Sequence, residues 1–309
     1  MKLEKDILNW LLNSDPSIRW QTLQSLTKSS QKSVLAERKK ISSEGWGAKL
    51  LSYQSSDGRW ADSLYNRKWI STTYSMMLLK NLGLMTRHKQ AIKACKVLLD
   101  EGLYEDGGIN YFYQYNHSET CVTGIVLSIL AYFQLEDPRI KSLVTHLIKQ
   151  QMSDGGWNCQ SYNAATHSSF HTTINVLEGL KEYHINYEPD NKRIAKSINR
   201  GIEFLLVHKI FRSHRTGNIV DSKMTRFSFP TGWRYDVLRA LDFFQASNAP
   251  KDKRMNEAIE LVLKRRDNDG KWKLQNRHPG RYYFEMESVG KPSRWNTLRA
   301  LRVLKWWNN

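Results

Sequence analysis

Arg19-Trp20-Gln21-Thr22-Leu23-Gln24-Ser25-Leu26, near the start of the 309-residue chain, shares its Arg, Trp, Thr and both leucines with Arg294-Trp295-Asn296-Thr297-Leu298-Arg299-Ala300-Leu301 near the end. The Leu-x-x-Leu pair closing each stretch recurs at Leu79/Leu82, Leu127/Leu130, Leu177/Leu180 and Leu238/Leu241. Successive first leucines therefore stand 56, 48, 50, 61 and 60 residues apart. Self-similarity at such a period marks a stacked architecture in which no single repeat can bury its own apolar face. Each step accommodates two helices of about 12 to 18 residues with short connections, the size of a helical hairpin. Amphipathic stretches at Ala91 to Leu99, Ile140 to Gln151, Ile194 to Val207 and Met255 to Arg265 supply the second helix.

Turns punctuate the repeats at Asp57-Gly58, Asp106-Gly107, Asp154-Gly155, Thr216-Gly217 and Asp269-Gly270. Glycine enters the left-handed region that ends a helix, and Asp closes turns with its side chain. No period-two alternation competes with this pattern. Six hairpins can stack openly or close on themselves, and an open stack carries dissimilar polar units at its ends. Here the terminal units are alike. The expectation is one all-α domain over residues 1–309, an (α/α)6 toroid or barrel of six inner and six outer helices around an axial cavity.

Composition fits a folded chain: 40% of residues are hydrophobic, 11% aromatic and 25% charged. No apolar run reaches the roughly 18 to 20 residues of a membrane helix. Met1-Lys2-Leu3-Glu4-Lys5-Asp6 places acids where a signal peptide has its apolar segment, so a cytoplasmic setting is expected. Cys95, Cys121 and Cys159 are odd in number and widely spaced, which argues against a disulfide framework and leaves free thiols or ligands. With 47 Lys and Arg against 30 Asp and Glu, the net charge of +17 attracts polyanions, acidic surfaces or phosphorylated substrates.

Gln54-Ser55-Ser56-Asp57-Gly58-Arg59-Trp60 and Gln151-Met152-Ser153-Asp154-Gly155-Gly156-Trp157 resemble the Gln…Gly-x-Trp repeats of squalene and hopene cyclases, and Lys271-Trp272 after Asp269-Gly270 is a weaker copy. The resemblance covers most of the chain as repeat architecture and points to the terpene cyclase and protein prenyltransferase superfamily. It implies a toroid and a cavity for an apolar, isoprenoid-like substrate, in a transferase or an isomerase. The Asp-x-Asp-Asp acid motif of protonating cyclases is missing; the nearest run is Asp267-Asn268-Asp269-Gly270. Glu119-Thr120-Cys121 and Phe170-His171-Thr172 look similar to the zinc-binding Asp-x-Cys pair and His of prenyltransferase β subunits, with Glu in place of Asp. This likeness implies zinc on Glu119, Cys121 and His171, alkylation of a thiol nucleophile, and room for a partner subunit. Tyr111 to His117 contains no Lys or Arg where that family binds diphosphate.

Helix phase places the candidates. At about 100° per residue, with the leucines packing outward, positions six and two before each first leucine face the axis. These are Ser17, Thr73, Cys121, His171, Gly232 and Pro292, then Gln21, Met77, Ile125, Asn175, Asp236 and Asn296. Cys121 and His171 fall at equivalent places on adjacent inner helices. Thiolate, imidazole and carboxylate form an acceptable zinc set with one position open. Glu119 lies about 200° from Cys121 on an ideal helix, so it joins only from an irregular first turn, for which Ser118 would serve as N-cap. Without metal, Cys121 and His171 are either cavity-lining core groups or a thiol nucleophile and its base. Cys159, His117, His167 and His184 are further donors without a tight metal spacing.

Asp236 faces the axis as an acid or base, or pairs with Arg234 or Arg239. Thr73 and Asn175 line the same wall as substrate contacts. Arg19, Arg234 and Arg294, beside Trp20, Tyr235 and Trp295, could hold an anionic head group with an apolar tail. Their phase, four residues before the leucines, argues against this and favours arginines buried between helices and paired with an acid or a carbonyl. Arg212, His214 and Arg215 form a loop candidate for an anion. Two other functions compete. A carbohydrate-active α/α-barrel enzyme needs paired lumen acids, and Asp236 has no acidic mate among the axial positions. A non-catalytic polyanion-binding repeat protein would use the +17 charge, but that charge is spread over every repeat without a dense arm, which ranks nucleic acid behind an apolar small molecule as partner.

Overall fold

The computed structural model describes residues 5–309. Among them the helices are α1 (Lys5–Leu12), α2 (Pro16–Leu26), α3 (Gln31–Lys39), α4 (Gly45–Leu51), α5 (Thr72–Leu82), α6 (Lys89–Asp100), α7 (Thr120–Tyr132), α8 (Ile140–Lys149), α9 (Phe170–Asn186), α10 (Lys192–Val207), α11 (Val237–Ala246), α12 (Asn256–Lys264) and α13 (Arg294–Asn308). Extended structure among the described residues is confined to isolated bridges. The fold is all-α. No helix among these residues is long and apolar enough to cross a membrane. The five later Leu-x-x-Leu pairs lie in α5, α7, α9, α11 and α13, and the expected outer stretches become α6, α8, α10 and α12. The two longest repeat steps carry long irregular connections, after α10 and after α12.

The repeat is written in hydrogen bonds as well as in leucines. After each turn a backbone N–H donates to a threonine hydroxyl in the first turn of the following inner helix: Trp60 to Thr72 at 3.1 Å, Ile109 to Thr123 at 2.9 Å, Trp157 to Thr173 at 3.0 Å and Trp272 to Thr297 at 3.0 Å. The repeat glutamine is a staple. Gln54 Nε2 donates to the Gly58 and Gln90 carbonyls, and Gln151 Nε2 to those of Gly155 and Ser197, so each side chain ties its turn to the next outer helix or its start. Gly155, at φ +96°, has no room for a side chain, because a Cβ there would stand 2.6 Å from the Arg200 carbonyl oxygen.

The chain forms two compact units. One contains the residues up to Ser52, Asn81–Met85 and Leu206–Asn309. Within it α13 packs against α2 on one side and α11 on the other. Arg302 Nη1 donates to Gln21 Oε1 at 2.9 Å and Lys305 Nζ to the Ser25 carbonyl at 2.7 Å, so the like first and last repeats meet side by side. Across the other face Arg299 and Arg302 share the Asp242 carboxylate.

The second unit contains Tyr53–Lys80 and Thr86–Leu205. Its centre is α7, buried from Thr120 through Ala131 because apolar and small residues surround it on every side. By contrast α8 buries Ile140, Leu143, Val144 and Leu147, the one-sided spacing of an outer helix. α7 and α9 pack backbone to backbone at Gly124 and Gly179. This contact fixes the relative height of their N-terminal turns, where Cys121 and His171 reside.

Candidate functional site

Three side chains of the second unit converge at the start of α7. Glu119 is the N-cap of that helix, in extended conformation at φ −86° and ψ 112°, so its side chain escapes helical phase and turns back toward Cys121. Cys121 Sγ stands 3.8 Å from Glu119 Oε2. Ser118 does not cap the helix as expected. It is buried and donates its N–H and hydroxyl to Asp106, at 2.9 and 2.5 Å, strapping the Asp106-Gly107 turn to the helix entrance. The competing carboxylate captured the serine.

The third group is Cys159, two residues beyond Trp157. The indole of Trp157 is fully buried and donates to the Leu147 carbonyl at 2.7 Å, while the Cys159 N–H donates to Thr172 Oγ1 at 3.3 Å. The repeat tryptophan and the first turn of α9 thus set the position of the second thiol. The ligand atoms of Glu119, Cys121 and Cys159 all lie within 4.8 Å of one another.

Their charges compete. The Cys121 hydrogen bond holds the Cys159 thiol below its ordinary value against the opposing effect of burial. That same bond and burial hold the Cys121 thiol well above its ordinary value. Burial raises Glu119, partly offset by His117, the Cys121 hydrogen bond and Lys68. Three acids of such proximity in a half-dry site cannot all ionise without a counter-charge.

Two groups of aromatic rings lie beside the cluster, one through Tyr65 and one through His117. Tyr65, held protonated by burial and by the field of Cys121, Glu119 and Cys159, lies 5.1 Å from Tyr74 and 5.5 Å from Phe112 between ring centres. Trp69 packs edge-on against Tyr74 at 4.7 Å. His117 is sandwiched between Tyr115 and Tyr162, with centroid separations of 5.3 and 3.8 Å. Lys68 lies over the Tyr65 ring at 5.8 Å.

Two thiols and one carboxylate are a donor set that suits zinc, which accepts sulfur and oxygen and in reactive sites retains an open position. The residues present fit the ion. The set brought together is Glu119, Cys121 and Cys159, whereas the sequence pointed to Glu119, Cys121 and His171. His171 sits half-buried in the first turn of α9, its carbonyl accepting from Asn175 Nδ2 at 2.7 Å, and is not one of the three convergent donors. Sequence spacing could not single out Cys159, because it reaches the cluster from a connection and not from a helix. Its place just beyond the repeat tryptophan was the available signal.

The other candidates occupy local roles. In the first unit Asp236 caps α11, accepting from the Arg239 N–H at 2.8 Å with one oxygen and from the Ser228 N–H and hydroxyl, at 3.2 and 3.0 Å, with the other. Arg19 pairs with Glu37 at 2.5 Å, and the Trp20 indole donates to the Leu82 carbonyl. Arg294 lies over the Trp10 ring and donates to the Trp10 carbonyl. Arg234 lies over Trp233, the Tyr235 hydroxyl donates to the Ile210 carbonyl, and Trp295 stacks on Phe229 at 4.0 Å. Arg212 pairs with Glu257 at 2.5 Å; His214 Nδ1 lies 3.0 Å from His208 Nε2, and Arg215 is exposed. Arg294 also edges a cavity of about 340 Å³ with Asp15, Trp46 and Glu287. In the second unit the Thr73 hydroxyl is buried on the Leu64 carbonyl at 2.7 Å.

No protein-family model matches the chain, and no curated relative matches it. Several solved structures are similar to it. A protein from Actinoplanes is 11% identical over 95% of this chain and 89% of its own, with a TM-score of 0.47. A variant of the type II terpene cyclase MstE from Scytonema, in complex with its product merosterolic acid A, is 16% identical over 98% and 99%, with a TM-score of 0.38. Apo MstE is 13% identical over 87% and 97%, with a TM-score of 0.35.

Proposed function

We propose that the chain is an enzyme acting on an apolar, isoprenoid-like substrate at a zinc centre held by Glu119, Cys121 and Cys159. The observation that carries this reading is the convergence of two sulfur donors and one carboxylate within 4.8 Å of one another, beside Tyr65 and the rings packed on it. The repeat likeness to terpene cyclases and prenyltransferases supports the substrate class.

Zinc, when bound, supplies Lewis acidity and stabilises a thiolate or hydroxide at neutral pH. The chain does the rest. Tyr65, Tyr74, Phe112 and Trp69 offer π faces to an apolar or electron-poor substrate carbon. Tyr65, protonated, can donate a hydrogen bond to a developing anion beside the thiols.

The test is a ligand measurement. The purified chain is extracted into organic solvent and analysed by mass spectrometry, then titrated with prenyl alcohols and diphosphates of increasing length while Trp and Tyr fluorescence is followed. Saturable quenching that strengthens with chain length and weakens in Tyr65→Ala supports the reading. Binding of soluble oligosaccharides but of no prenyl compound contradicts it.

A further inference from the structure

We propose that Cys121 and Cys159 are a reversible oxidation site and form a disulfide in place of holding metal. Their sulfurs belong to a cluster whose ligand atoms lie within 4.8 Å of one another. They also come from different parts of the chain: Cys121 from the first turn of α7, and Cys159 from the connection after the Trp157 turn. The α7 side is held rigidly by the Gly124 and Gly179 contact. The Cys159 side is a connection without regular structure at that residue, which can supply the small closing movement a disulfide needs.

Exposure orders the steps. Cys159 is half-buried, Cys121 is 9% exposed and Cys95 is fully buried. A two-electron oxidant of the peroxide class therefore meets Cys159 first. The Cys159 sulfur attacks one peroxide oxygen and the O–O bond breaks, leaving a sulfenic acid and one water. The Cys121 sulfur then attacks the sulfenyl sulfur, the S–O bond breaks, and hydroxide leaves with the thiol proton as a second water. Two thiols lose two electrons and two protons, and hydrogen peroxide takes up both. A thiol reductant reverses the change.

The consequence is a centre with two exclusive states. Both sulfurs are consumed in the bridge, so the donor set falls to Glu119 alone. The disulfide itself does not depend on the zinc reading; only the exclusion between them rests on it.

The experiment treats the full chain, stripped of metal by chelation, with hydrogen peroxide, caps remaining thiols after unfolding, and maps peptides by mass spectrometry. Titratable thiols should fall from three to one, the survivor being Cys95, with a Cys121–Cys159 cross-linked peptide pair that dithiothreitol removes. Cys159→Ser should abolish the cross-link while circular dichroism shows unchanged helix. Cys159 driven to sulfinic acid with Cys121 still free, or a bridge made by Cys95, overturns the proposal. Zinc preloading should suppress the cross-link, and an equal yield with zinc bound overturns the exclusion. A chain that takes up no zinc yet forms the bridge defeats the zinc reading alone; one that takes up zinc and never forms the bridge defeats the disulfide alone.

Discussion

A Cβ placed on Gly179 of α9 would stand 2.4 Å from the carbonyl oxygen of Gly124 on α7, and one on Gly124 would stand 2.8 Å from the Val176 Cα. Both glycines sit inside helices, where alanine has the better intrinsic propensity, by about 1 kcal/mol. Close approach opposes propensity here, and the obstructing atoms are backbone. Gly179→Ala is expected to destabilise by about 1 to 3 kcal/mol, the usual cost of overpacking, read as a lower urea midpoint at unchanged slope. A midpoint equal to or above that of the wild type would show that the helices are not in contact there.

The Asp106 strap makes stability depend on acid. Burial pushes its carboxyl up, and hydrogen bonds from the Ser118 side chain, the Ser118 N–H and the Gly108 N–H outweigh burial, so the group sits below its ordinary value. A depressed carboxylate stabilises the fold above the unfolded value of about 3.9 and loses that contribution as pH falls through the folded one. The gap in urea midpoint between wild type and Asp106→Asn should therefore be full near neutrality and shrink below about pH 4. A gap independent of pH would contradict this.

Asp236 is expected to matter for folding. Asp236→Ala leaves the Ser228 and Arg239 N–H groups without their acceptor in a buried setting and should cost about 2 to 3 kcal/mol. Differential scanning calorimetry checks it. An unchanged melting temperature would release Asp236 from its capping duty and return it to the candidate acids.

The architecture was legible because helices obey a fixed period: Leu23, Leu79, Leu127, Leu177, Leu238 and Leu298 mark the inner elements, and the Asp-Gly turns mark their entrances. The likeness of the Arg19 and Arg294 stretches even announced that α2 and α13 would be neighbours. The candidate site was legible only where it obeys the same period. Phase singled out Cys121. Likeness singled out Glu119, which reaches Cys121 from the non-helical cap position. Cys159 lies in a connection whose path is set by the buried Trp157 and by Thr172, and no periodic argument follows a chain through such a bend. For the arginine and aromatic positions the phase favoured pairing with an acid or a carbonyl but could not name the partners, since Glu37, the Trp10 ring and the Ile210 carbonyl lie elsewhere in the sequence.

Zinc content of the purified chain tests the central claim most directly. After equilibration with zinc and exhaustive buffer exchange, about one ion per chain is expected in the wild type and in His171→Ala, with loss in Cys121→Ala and Cys159→Ala and at least about tenfold weaker binding in Glu119→Gln. A folded wild-type chain that retains no zinc, or an ion that survives removal of both cysteines, would contradict the account.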